Sequence, residues 1–189
     1  MAFDFEAGEV ILIDKPKTWT SFDVVNKLRY ATKVKKMGHA GTLDPMATGL
    51  LILCTGKFTK KIDEYQAKEK EYYGELVLGK TTPSYDAETE VDAEYTIEHI
   101  SETLLNEKVK TFTGIIKQTP PIYSAVKVNG KRLYEIARKG KTADIPEREV
   151  EIKEFEILSV EMPVVKFRVV CSKGTYIRSM ARDFGLALN

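Results

Sequence analysis

The run Gly38-His39-Ala40-Gly41-Thr42-Leu43-Asp44-Pro45 sets one imidazole and one carboxylate among two glycines and a proline. A carboxylate in such a stretch can serve as a nucleophile or a general base, and glycines let a ligand come close to the backbone. Asp44 lies between Leu43 and Pro45, and proline has no N–H to offer it. Its neighbours therefore give it no local polar partner. An Asp-Pro pair is ordinarily a turn, and a lone histidine such as His39 is ordinarily a surface or capping residue. For Asp44 the setting weighs against the turn. From Lys35 to Thr48, fourteen residues, no helical or strand period is visible. Structureless segments of that size inside compact domains are usually functional or disordered. This one runs directly into the apolar segment Gly49–Cys54, so the core holds one end of it. That favours function.

The elements around this loop follow from pattern. Glu9–Asp14 reads as a strand ended by Lys15-Pro16, since proline cannot continue a ladder. Thr20 or Ser21 caps a helix running to about Lys33, with Val24, Val25, Leu28 and Ala31 as its apolar stripe. A short helix is expected near Phe58–Tyr65, followed by a strand over Glu71–Leu78 with Tyr72, Gly74, Leu76 and Leu78 on one face. Pro83–Glu90 is polar and turn-rich and reads as an exposed loop, and Ser101 caps a helix to about Thr111. Gln118–Tyr123, with Pro120-Pro121, reads as a stiff connector. Asn129-Gly130 marks a tight turn, Leu133–Lys139 a short helix closed by Gly140, and Glu149–Val160 and Val164–Cys171 two strands. The apolar phase slips between Ile152 and Phe155, which predicts a bulge. A helix from Thr175 to about Leu188 closes the chain. Strands and helices mix without a βαβ rhythm, so the class is α+β with a mixed or antiparallel sheet flanked by helices.

Composition narrows the classes without choosing one. The 189 residues are 43% hydrophobic and 30% charged, an ordinary globular balance. The longest apolar run, Leu50–Cys54, is of strand length, and Met1–Glu6 lacks the basic start of a secretory signal. Cys54 and Cys171 lack the paired spacing of a zinc site and read as reduced cysteines in apolar strands. Net charge is only +1, yet it is unevenly spread: +3 over residues 1–60, −7 over 61–110 and +5 over 111–189. Two basic segments flank an acidic one, which can offer phosphates a basic face or be a mixed solvated surface.

GHAGTLDPMATGLL, at residues 38–51, resembles the active-site motif of the TruB-type tRNA pseudouridine synthases. The resemblance continues through ILIDKP at 11–16, KEYYGELVLG at 70–79, QTPPIYSAVKVNGKRLYEIARKG at 118–140 and CSKGTYIRSMARDFG at 171–185. Five such segments in order are highly specific. The resemblance implies a pseudouridine synthase fold and isomerisation of the uridine at position 55, in the tRNA T-arm. It implies that Asp44 is the nucleophilic aspartate and that His39 enters the gap left by the flipped base. Tyr72, in a Lys-x-Tyr motif with Lys70, would stack on the target base; Tyr176 would contact it; Arg178 would pair with the aspartate.

Those roles make physical sense. Extruding a stacked uridine costs a few kcal/mol, and stacking on a tyrosine returns about 1–3 kcal/mol. Arg178 falls in the first turn of the last helix, where the helix dipole offers it nothing, so a carboxylate partner is a reason for it to be there. An Arg partner also keeps a carboxylate ionised. The carboxylate can attack the anomeric carbon, assist glycal formation by proton removal, or add to the base. The base is retained and nothing is oxidised, so neither metal nor organic cofactor is called for. Lys15, Lys127, Lys131 and Arg132 are candidate phosphate contacts. The family's catalytic domain normally continues beyond the ARDFG helix and often carries a PUA domain. The resemblance therefore implies that residues 1–189 are the catalytic domain, shortened at its C-terminal end and without a PUA domain. The expected setting is a cytoplasmic monomer whose partner is tRNA, with no membrane and no obligate protein partner. Two other readings stand beside it: a non-catalytic module that binds or folds structured RNA, and a glycosidase that excises the base using water.

Overall fold

The computed structural model describes residues 3–189, so part of the expectation for Met1–Glu6 lies outside the described residues. Two compact units divide the chain, one running to Lys68 and the other comprising Glu69–Asn189.

In the first unit β1 (Val10–Lys15) and β2 (Met37–His39) both pair antiparallel with β3 (Gly49–Thr55), giving the order β1-β3-β2. Strand β2 corrects the expectation of an unbroken loop over 35–48. Three residues are too few to show a period, and Gly38 interrupts what period there is. Helix α1 (Ser21–Thr32) packs Val24 and Val25 against Met37, Leu51 and Leu53, whereas Ala31, expected on that stripe, is exposed. Its start is a reciprocal cap: the Asp23 N–H donates to the Thr20 hydroxyl at 3.0 Å, and the Thr20 N–H donates to the Asp23 carboxylate at 2.8 Å. At its far end Arg29 donates to the Met37 carbonyl at 2.7 Å, which fastens the helix to β2. A 3-10 turn over Gly56–Lys61 leads into α2 (Ile62–Ala67), the short helix expected there. Gly56 has a φ of 50°, and a Cβ on it would come within 2.1 Å of the Glu6 carbonyl oxygen, so only glycine fits.

The second unit is built on a four-stranded antiparallel sheet of β4 (Lys70–Val77), β7 (Gly114–Gln118), β10 (Arg148–Glu161) and β11 (Val164–Cys171), in the order β4-β11-β10-β7. The β10–β11 register slips between Ile152 and Glu154, the expected bulge, and again between Ile157 and Ser159. Strand β7 was not expected. Two short ribbons accompany the sheet, β5 (Lys80–Thr81) with β6 (Ala93–Glu94), and β8 (Lys127–Val128) with β9 (Lys131–Arg132). The turn of the second is Asn129-Gly130, both at positive φ, as a tight hairpin requires.

Helix α3 (Glu102–Thr111), capped by the Ser101 hydroxyl, and α5 (Ile177–Ala187) cover one face of the sheet; α4 (Leu133–Ala137) follows β9. Leu105 and Val109 of α3, and Met180 and Phe184 of α5 with the adjoining Leu188, bury against Leu76, Ile152, Phe155, Val165, Phe167 and Val169. Each such side chain contributes about 1.5–3 kcal/mol by leaving water. A Cβ on Gly74 would meet the Phe167 ring at 2.5 Å, so the glycine makes room for that ring. All sheet pairings among the described residues are antiparallel, and the fold is α+β with a sheet flanked by helices.

Candidate active site

In the first unit the chain around Asp44 is held on both sides. Before it, the Leu43 N–H donates to the Ser21 hydroxyl at 2.9 Å, and that hydroxyl lies 3.2 Å from the Leu43 carbonyl. After it, the Pro45 carbonyl accepts the Thr18 N–H at 2.8 Å and the Lys15 ammonium at 3.3 Å. The Ala47 N–H closes a turn onto the Asp44 carbonyl at 3.0 Å. Asp44 itself is half-buried. A carboxylate carried on a peptide fixed at both neighbours keeps its place while a reaction proceeds.

Lys15, expected to meet a phosphate, instead has no exposed surface at all. Its ammonium donates to the Trp19 carbonyl at 2.6 Å, to the Pro16 carbonyl at 3.0 Å and to Pro45 as above. All three donors of the ammonium are thereby satisfied, which is what lets it be buried. Burial pulls its pKa below the usual lysine value, and the charges of Asp44 and Asp23 oppose that shift. The residue is a clamp on the Asp44 loop, and the expectation of a phosphate contact is corrected. His39 ends β2, opposite Leu53. Its Nδ1 is 2.5 Å from the Gly41 carbonyl, which can only accept, so Nδ1 is the donor of that contact.

In the second unit Tyr72 lies half-buried on β4 opposite Val169 and packs against the core. Tyr176 is the residue preceding α5, with the Arg148 guanidinium 5.8 Å from its ring centre. Lys127, Lys131 and Arg132 are exposed on the β8–β9 hairpin, where they can meet phosphates. Arg178 occupies the first turn of α5, as expected. Its Nη1 donates to the Ser84 carbonyl at 3.0 Å and lies 3.5 Å from Asp86 Oδ2; its Nη2 donates to the Tyr123 carbonyl at 3.0 Å. The guanidinium and the Asp86 carboxylate are only 12% and 15% exposed.

Asp86 and Ser84 are therefore parts of the site that sequence reasoning missed. Segment 83–90 is exposed at Pro83, Ala87, Glu88 and Glu90, as expected, but Ser84 is buried and Tyr85, Asp86 and Thr89 are half-buried in a network of their own. The Ser84 hydroxyl donates to Asp86 Oδ1, Thr82 donates to the Asp86 carbonyl at 2.7 Å, and Tyr85 is held at a φ of 61°. The Tyr85 hydroxyl accepts from Arg182 at 3.0 Å, a second tie to α5. Its polar composition looked like a solvated loop because those polar groups satisfy one another and two arginines. A largely apolar cavity of about 480 Å³ lies beside this segment, walled by residues including Leu76, Tyr85, Tyr95, Arg182 and Leu186, but Tyr72, Tyr176 and Arg178 do not line it.

Comparisons with known proteins fit these observations. Residues 29–177 match the family model described as TruB family pseudouridylate synthase (N terminal domain). A protein named tRNA pseudouridine synthase B from Parabacteroides distasonis is 57% identical, the match covering 98% of this chain and 81% of the relative. One of the same name from Flavobacterium johnsoniae is 56% identical over 98% of this chain and 84% of its own. Among solved structures, a Cbf5-Nop10-Gar1 complex contains a chain with a TM-score of 0.73 and 31% identity. That match covers 98% of this chain and 45% of the other. An H/ACA RNP bound to a substrate RNA containing 2′-deoxyuridine gives a TM-score of 0.70 and 27% identity, covering 98% and 44%. This chain thus spans less than half the length of those two solved chains. With a family model matching most of its length and relatives identical at more than half their aligned positions, the chain belongs to the TruB family of pseudouridylate synthases.

Proposed function

We propose that this chain converts uridine 55 in the T-arm of tRNA to pseudouridine, with Asp44 as the nucleophile and Arg178 as the second catalytic residue. What carries the reading is the peptide of Asp44, fixed at Leu43 and at Pro45, in a chain of this family. The names of the relatives, tRNA pseudouridine synthase B, support tRNA as the substrate. The Asp44 carboxylate attacks C1′ of the extruded nucleotide, and as that ester bond forms the N1–C1′ bond breaks with its electron pair on the uracil. The base turns, C5 bonds to C1′, and the carboxylate leaves; the C5 proton is then lost and N1 gains one. Atoms balance without an oxidant, so the proposal includes no metal or organic cofactor.

The other site residues take the parts their chemistry suits. Tyr72 offers an aromatic face to the extruded base, Tyr176 contacts it, and His39 fills the space it vacates. Arg178 supplies a fixed positive charge that keeps a carboxylate ionised. Exposed Lys127 meets the RNA backbone. Residues 1–189 act as the catalytic domain, in the cytoplasm, as a monomer with tRNA as partner and no obligate protein partner. None of the helices described is long and apolar enough to cross a membrane.

The test is to incubate the protein with a T-arm stem-loop, digest the RNA to nucleosides and separate them. Pseudouridine from the native protein, with uridine alone from Asp44→Asn at unchanged RNA affinity, is the expected result. Free uracil would make the protein a glycosidase, and unchanged uridine despite tight binding would make it an RNA-binding module.

A further inference from the structure

Gln118 ends β7 and is 1% exposed. A buried amide must find partners for both its N–H2 and its carbonyl. Gln118 finds them on a single residue. Its Nε2 donates to the Tyr176 carbonyl at 3.0 Å, and its Oε1 accepts the Tyr176 N–H at 2.7 Å. The side chain thus grips the backbone on either side of the Tyr176 Cα. One residue on, the Thr119 carbonyl accepts the hydroxyl of Ser179, which is wholly buried, at 2.7 Å. Three hydrogen bonds tie Gln118 and Thr119 to Tyr176 and Ser179, and Arg178 lies between those two. The Tyr176 side chain makes no capping hydrogen bond to α5, and the Gln118 carbonyl takes up the Tyr176 N–H instead. Arg148, whose guanidinium lies near the Tyr176 ring, is the register partner of Gln118 across β7 and β10.

We propose that Gln118 is a positioning residue for the isomerisation: by holding the Tyr176 backbone from both sides, it fixes the Tyr176 ring and the start of α5 that carries Arg178. This rests on the reading that Tyr176 contacts the flipped base. In this reaction the base detaches, turns and rejoins, so its contacts must keep their places while it is unattached. A misplacement of about 1 Å at such a contact costs on the order of 100-fold in rate. An apolar side chain of the same length could fill the same space, but it could not hold the two Tyr176 backbone groups. The hydrogen bonds therefore matter to turnover beyond their worth to folding.

Two variants test this. Gln118→Met keeps length and burial and removes both hydrogen bonds. The expected result is a fall of about 30- to 100-fold in the single-turnover rate at saturating T-arm RNA, with RNA affinity changed by less than about 3-fold. Gln118→Glu is the rescue. Its protonated carboxyl can donate and accept as the amide does, whereas its ionised form repels the Tyr176 carbonyl. Burial raises the pKa of such a carboxyl, so the ratio of variant to native rate should rise as pH is lowered. Native rates for Gln118→Met, or a pH-independent ratio for Gln118→Glu, overturn the proposal. If Gln118→Met fails to fold, the pH ratio of Gln118→Glu alone decides. Tyr176→Ala and Arg178→Lys are measured alongside. Native turnover in both would sink the site reading itself, whereas losses there with none in Gln118→Met would remove only the role of Gln118.

Discussion

Around Asp44 it is the backbone that side chains hold, whereas around Arg178 it is the side chain that backbone holds. Ser21 and Lys15 send a hydroxyl and an ammonium onto the peptides of Leu43 and Pro45. In the second unit the carbonyls of Ser84 and Tyr123 receive the Arg178 guanidinium, with Asp86 as a counter-charge. The contrast follows from side-chain length. A short Asp side chain is placed by its own Cα, so fixing the loop fixes the carboxylate. Arg has a long flexible stem with roughly 2 kcal/mol of rotamer entropy, so its far end must be held directly.

Breaking the second arrangement should have the larger effect on turnover. Arg178→Lys keeps the charge but not the fork, and an ammonium cannot reach two carbonyls and Asp86 in the same geometry. A fall in single-turnover rate of about 100- to 1,000-fold is expected, with RNA affinity nearly unchanged. Asp86→Asn removes a counter-charge from a guanidinium that is mostly buried. Its cost is about 3 kcal/mol of stability, read as a lower urea midpoint. A midpoint equal to the native one would show that this carboxylate adds nothing to holding the guanidinium.

The same logic in the first unit gives a smaller number. Lys15→Met fills the volume but takes the ammonium from the Pro16 and Trp19 carbonyls and leaves the Pro45 carbonyl with the Thr18 N–H alone, costing about 1–3 kcal/mol and lowering turnover through the Asp44 loop. If stability falls and turnover does not, the clamp has no part in placing Asp44. The smallest effect lies away from both regions. Hydrogen bonding to Arg168 holds the Glu71 carboxyl below the usual glutamate range. The stability it adds is therefore fully present above the ordinary glutamate pKa and is lost as pH falls through the lowered one. Native protein and Arg168→Met should differ in melting temperature at neutral pH and converge in acid. A gap that persists in strong acid would point to another cause.

The two regions were also unequally legible in the sequence. The cap of α1 at Thr20, one of the two residues offered for it, the Asn129-Gly130 turn and the bulge after Ile152 are local signals, and each is where the pattern puts it. The Asp44 loop announces itself through its glycines and its lack of period. The supports of Arg178 give no such notice. Polar residues at 82–89 look solvated until their partners on α5, nearly a hundred residues later, are seen. Strand β7 hides because its adjacent isoleucines point to opposite faces, with Ile115 74% exposed and Ile116 packed on the core, so neither face reads as apolar. Burial of Lys15 was equally invisible, since one of its three acceptors, the Pro45 carbonyl, lies thirty residues away. Side chains that act on distant backbone leave no local pattern.

The claim that a clamped peptide sets one carboxylate in place is tested most directly by Asp44→Glu, which keeps the charge and moves it by one methylene. Pseudouridine formation in a T-arm stem-loop, followed under single-turnover conditions, should fall by at least about 100-fold, while RNA affinity stays within a few-fold of native. A rate equal to that of the native protein would show that the position of this carboxylate is not fixed by its loop, and would contradict the account.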